Sequence, residues 1–153
     1  MDPIMKNSYL SLGVQTLASG IIMYLVMFVM IDRLDSFYNN LNMFYMTFMM
    51  VAPMVVLMIV AMAHMFKSKA ANMTLLALAF VAFFGSFALI RTQTTIGNGA
   101  FLRSMIPHHS AAILMCEQAS LSDPEIVKLC GNIITSQREE IDQMKAILTR
   151  LNP

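Results

Sequence analysis

Six side chains near the C-terminus have the types and spacing of a soft-metal site: Met105, His108, His109, Gln137, Glu140 and Met144. Two adjacent histidines follow a methionine at three and four residues. An amide, a carboxylate and a second thioether recur on a later apolar-patterned stretch. Imidazole nitrogen with thioether sulfur favours copper, Cu(I) above all, with zinc second. Packing is the competing reading, because a histidine on an apolar face is more often a hydrogen-bonded core residue. The bundle type of diiron site requires several inward carboxylates and Glu-x-x-His pairs, and this stretch has no Glu-x-x-His. Cys116 and Cys130 both fall on seam positions. A disulfide, two buried thiols and Cu(I) thiolate ligation all stay open for them. No nucleophilic triad or phosphate loop is present, so the chain is not read as an enzyme.

Methionine makes up 17 of the 153 residues. Seven of these, Met43, Met46, Met50, Met54, Met58, Met62 and Met65, step by 3, 4, 4, 4, 4 and 3. That mean is close to the helical repeat, so one helix face would carry all seven thioethers. Met23, Met27 and Met30 form a shorter row. Two readings stand: flexible apolar packing, or a Cu(I) path passing from turn to turn.

Helices must position these groups. The second metal-bearing stretch starts at Ser122-Asp123-Pro124-Glu125, where Ser122 is the expected cap and Glu125 completes a capping box. A heptad seam follows through Val127, Cys130, Ile134, Gln137, Ile141, Met144, Leu148 and Leu151. The preceding helix offers two registers: Phe101, Met105, His108, Ala112, Met115 and Ala119, or Leu102, Met105, His109, Ala112 and Cys116. The histidines are therefore expected to straddle the seam. A turn centred near Leu121 would set Met105 opposite Gln137, with Met144 about 10 Å further along the axis. Pro107 either opens or kinks the first helix. Two helices bury little surface alone, so this hairpin is expected to oligomerise into a helical bundle.

Ahead of the hairpin the composition changes. Charged residues are 12% of the chain, and 11 of the 19 lie from Arg103 onward. The charge-free runs are long enough to cross a bilayer as helices. Spans are expected near residues 9–31, 41–66 and 72–90, with Pro53 kinking the second. The first run exceeds a signal-peptide core and is read as retained. The expectation is an all-α chain: a three-span membrane domain in residues 1–91, then a metal-binding hairpin in residues 98–151. Three spans place the 32–40 loop and the tail on one side of the membrane. Lys6, Lys67 and Lys69 nearly balance Arg33, Arg91 and Arg103, and the tight Lys67–Lys69 loop favours an N-terminus inside and a tail outside. A net charge of +1 with no basic run excludes a nucleic-acid surface. Lipid, copper and further copies of the chain are the expected partners.

The run from Phe101 to Met115 and the run from Ile133 to Met144 resemble a bacterial family, that of the domain of unknown function 305. Its pattern is similar to M-x-x-H-H-x-x-A-I-x-M followed by Q-x-x-E-I-x-x-M. Here the matching positions are Met105, His108, His109, Met115, Gln137, Glu140, Ile141 and Met144. The resemblance implies a ferritin-like helical fold and copper binding, with Met105, His108, His109, Met115 and Met144 as ligands. It also implies a role in copper homeostasis or resistance. In a bacterium the protein would sit in the inner membrane with its tail in the periplasm. Soluble relatives often hold two such hairpins, and a single copy here again implies oligomerisation. The competing functions are a Cu(I) channel lined by the second span and a metal-free membrane interaction module.

Overall fold

The computed structural model describes residues 3–151, with side chains from Ser8 onward, so the side chain of Lys6 lies outside the described residues. Five α-helices and a short 3-10 turn make up the described chain: α1 Pro3–Val26, the turn Leu34–Ser36, α2 Leu41–Ala61, α3 Lys69–Thr92, α4 Asn98–Gln118 and α5 Pro124–Leu151. The chain divides into two compact units, one of residues up to Val26 with Asn42–Thr94, the other of Met27–Leu41 with the residues from Thr95 onward.

The first unit contains α1, α2 and α3, three helices long and apolar enough to cross a membrane. Most of their apolar side chains face outward, among them Leu17, Leu57, Val60, Leu78 and Val81. That pattern suits lipid, where each helix satisfies its own backbone. The inward contacts are few: Leu12, Val55, Ile59 and Phe66 form a small core. Small side chains at Ala79 and Ser86 occupy the buried face of α3. The α2–α3 connection is tied by polar bonds. The Ser68 hydroxyl accepts from the Ala71 amide, the Tyr9 hydroxyl donates to Asn72 Oδ1 at 2.8 Å, and Asn72 donates to the Phe66 carbonyl at 2.7 Å. Pro53 lies inside α2, which runs through it. Two of the helices end short of the expected spans. The first stops at Val26 rather than Ile31, and the second at Ala61 rather than Phe66.

The second unit is the α4–α5 hairpin with a third wall. Leu102, Ile106 and Ile113 of α4 meet Ile141, Met144 and Leu148 of α5 in one core. Ile106 and Ile113 are fully buried, yet neither belongs to the seams read from the sequence. The buried arc of α4 is wider than a two-helix contact requires because the segment Met27–Leu41 packs here too. Tyr38 of that segment lies against the same core. Phe28 and Phe37 stack within the segment at 4.1 Å between ring centroids. The Asp32 amide donates to Ser110 Oγ at 2.7 Å, and the Ser110 hydroxyl donates back to Asp32 Oδ1. Lys145 Nζ donates to Asp35 Oδ2 at 2.7 Å. What reads as a connector between two spans is structurally part of the tail.

The start of α5 also departs from expectation. Asp123, not Ser122, caps it: Oδ1 accepts from the amides of Glu125 and Ile126 at 2.9 and 3.1 Å. Residue 119 is extended, with ψ 133°, and an extended residue advances about twice as far as a helical one. The connection therefore carries the chain beyond the end of α4 before α5 begins. The pairings of Cys116 with Cys130 and His109 with Glu140 shift α5 by roughly one to two turns from the symmetric register. Met105 consequently packs against the cluster that contains Ile141 and Met144, rather than opposite Gln137.

Two outcomes follow from this packing. Ile113→Ala leaves a cavity at a fully enclosed position and should cost about 2–5 kcal/mol, measured by denaturant unfolding of the tail in detergent. The Lys145 ammonium, donating to Asp35, holds that carboxyl below the usual carboxylate range; partial burial opposes the shift and Arg33 adds to it. A depressed carboxylate stabilises the fold above its ordinary value and loses that contribution as pH falls through the depressed one. Opening of residues 32–38, read as a fall in their amide protection factors, should increase as pH drops below about 4. In Asp35→Asn this acid-dependent increase should be smaller.

Candidate metal centre

His109 is buried, and its two ring nitrogens have separate partners. Nδ1 lies 2.8 Å from the Met105 carbonyl, one turn back on α4. Nε2 lies 2.7 Å from Glu140 Oε2 on α5. A carbonyl can only accept, so Nδ1 carries a hydrogen and the ring orientation is set by the backbone. Nε2 faces that carboxylate from α4 to α5. Metal-ligating histidines have the same first half of this geometry, Nδ1–H held by a carbonyl and Nε2 directed at the ion. Glu140 comes to the point where such an ion would bind. Its side chain is 50% exposed, against 10% for His109, so the pair is open on the Glu140 side. Met144 is buried and Met105 half-buried in the cluster that adjoins them.

The remaining expected ligands are placed differently. His108 points outward and is exposed, with its ring 6.0 Å from that of His109. The histidines do not straddle the seam: one is inside and the other outside, as a 100° step per residue requires. Met115 is 53% exposed. Gln137 is half-buried one turn before Glu140. Among the described residues no three His, Cys, Asp or Glu side chains converge as a metal-binding group. The thioethers of Met105 and Met144 and the amide of Gln137 are donors of other types. Copper accepts such a mixed donor set, whereas zinc seldom takes thioether sulfur.

Cys116 and Cys130 form a disulfide with their Cα atoms 5.3 Å apart. Free thiols and thiolate ligation are thereby set aside for this state. Nearby, Arg138 of α5 pairs with Glu117 of α4.

The membrane methionines do not form one continuous row. Met43, Met46, Met50, Met54 and Met58 lie on α2; the helix ends at Ala61, where the Met62 amide still bonds the Met58 carbonyl one turn back, and Met65 falls in the turn beyond. Met46, Met50 and Met65 are exposed, while Met58 and Met62 pack against the first unit's core. Met27 and Met30 likewise fall beyond the end of α1. An apolar cavity of about 620 Å³ between α1 and α2 and one of about 450 Å³ between α2 and α3 have no methionine in their walls.

These features define a protein that is all-helical in its described residues, with three apolar, span-length helices and a disulfide-tied helical hairpin in which a buried histidine meets a half-exposed glutamate. Residues 88–151 match the family model described as domain of unknown function, DUF305. The chain is also similar to an uncharacterized protein of Acanthamoeba polyphaga mimivirus, at 37% identity over 112 residues, which cover 71% of each chain. The chain belongs to the DUF305 family. The alignment with the viral protein is longer than the family match, so the likeness reaches back into the apolar helices. No solved structure matches the chain.

The disulfide closes a short loop, with a sequence separation of 14. Replacing both cysteines by serine should lower tail stability by about 3 kcal/mol, read from thermal unfolding. Neither sulfur belongs to the His109–Glu140 pair.

Proposed function

We propose that the protein is a membrane-anchored copper-binding protein whose tail takes up copper through His109 and Glu140, with Met105 and Met144 as thioether donors. The observation that carries this reading is the His109 ring itself. It is buried, oriented by the Met105 carbonyl, and aimed at a carboxylate from the partner helix. A purely structural histidine requires only satisfied nitrogens. Here the second nitrogen meets an ionisable, half-exposed ligand, with Met105 and Met144 one helical turn away along α4 and α5. Copper bound there would be held between Nε2 and the carboxylate, both deprotonated, as metal ligands are. The sulfur donors favour the cuprous ion.

The disulfide supports a tail on the extracytoplasmic side, since such bonds persist in oxidising compartments. The three apolar helices then serve as the anchor. A role in copper homeostasis or resistance fits an anchored binding domain. Ile126, Val127 and Leu129 leave apolar surface exposed on α5, which supports association with a second copy of the hairpin as part of the same reading.

The test is an anaerobic Cu(I) titration of the detergent-purified chain against a competing chromophoric chelator. His109→Ala and Glu140→Gln should each weaken binding roughly 10-fold or more, the scale seen when a metal site loses an orienting or ligating group. Met115→Leu should bind like the wild type. Wild-type affinity in His109→Ala would overturn the assignment of this centre.

A further inference from the structure

The segment Met27–Leu41 grips the hairpin one residue beyond two of the proposed ligands. On α4 it holds Ser110, which follows His109: the Asp32 amide donates to Ser110 Oγ at 2.7 Å and the Ser110 hydroxyl donates to Asp32 Oδ1. On α5 it holds Lys145, which follows Met144, through Asp35 at 2.7 Å. The two grips differ in character. Ser110 is fully buried, and the Asp32 side chain is only 7% exposed. A carboxylate so enclosed is stable only while its partners stay in place; these are the Ser110 hydroxyl and Arg33 Nε at 3.8 Å. The second grip is at the rim, where the Asp35 side chain is 64% exposed.

A helical hairpin left to itself can slide and roll about its seam. The disulfide fixes α4 to α5 at Cys116 and Cys130. Glu140 lies well along α5 from that tie, so the distance between Nε2 and the carboxylate depends on what holds the helices beyond it. Outside the hairpin, the Met27–Leu41 segment acts as a strap: its Asp32 bonds to Ser110 on α4 and its Asp35 to Lys145 on α5. We infer that Asp32, Ser110, Asp35 and Lys145 are positioning residues for the copper centre, so that the metal site is built from three segments rather than two. This rests on the proposed function above. The strap would act through the helices it holds, by setting how far apart the two halves of the donor set stand.

The test uses the full chain in detergent and the same Cu(I) competition assay, with helix content and the intact disulfide checked for every variant. Asp32→Ala and Ser110→Ala should each weaken binding about 10-fold with unchanged stoichiometry. The double variant should be no weaker than either single one, because both remove the same link. At the rim, Asp35→Lys and Lys145→Asp should each weaken binding a few-fold, and the two together should restore it. That charge exchange decides the matter even where Asp32→Ala fails to fold, because both side chains are at the surface edge. Wild-type affinity in the folded single variants, additive losses in the Asp32/Ser110 pair, or failure of the exchange to restore binding would overturn the strap. Absence of copper binding in the wild type would instead overturn the function on which it rests.

Discussion

Two helices packed side by side leave most of their surface in water, and a core needs a third wall. In the tail that wall is the Met27–Leu41 segment, and the reciprocal bond between Asp32 and Ser110 is its deepest contact. Much of the rest depends on it. Ile106 and Ile113 are enclosed only because the arc of α4 facing away from α5 is also covered. Ser110 is buried because its hydroxyl has a partner that both donates to it and accepts from it. His109, one residue away, thus sits on a part of α4 that is held on two sides. An imidazole in such a place is constrained in rotation and translation before any ligand arrives, which is the condition under which binding a metal costs least ordering.

The polar pairs of the tail do different work. Asp32–Ser110 is enclosed and specific, so its contribution is to geometry. Asp35–Lys145 and Glu117–Arg138 lie at the rim and contribute little to stability on their own. His109–Glu140 is intermediate: the imidazole is enclosed and the carboxylate is half in water. That asymmetry keeps one member fixed and the other able to move, as a pair that opens to admit an ion must be.

Much of the architecture was legible in the residues. Charge-free runs marked three apolar helices, and Pro124 with its polar neighbours marked the start of α5. The pairing of His109 and Glu140 with nearby methionines was visible as a constellation, although its members were sorted only by the fold. What escaped has physical causes. Residues 27–31 are as apolar as the helix before them, but they serve the tail core, and hydropathy does not record which core a side chain joins. The register failed because a symmetric turn was assumed, whereas an extended connection advances further per residue than a helix. His108 and His109 were inseparable by pattern, since only the covering segment decides which of two adjacent residues faces inward. The methionine row on α2 looked continuous because spacing cannot reveal that the helix stops at Ala61.

The strap and its partners are far apart along the chain, 78 residues from Asp32 to Ser110 and 110 from Asp35 to Lys145. Between the strap and the hairpin come α2 and α3, both apolar and long enough to cross a bilayer. A chain that crosses twice returns to the side it left, and a chain that crosses once does not. The third wall is therefore present for the tail only when the number of crossings between them is even. The parity of those crossings would thereby be written into the packing of a domain that follows them in the chain. A molecule threaded with one crossing missing would carry the same hairpin sequence and the same disulfide cysteines, but its Ser110 would have no Asp32 to meet.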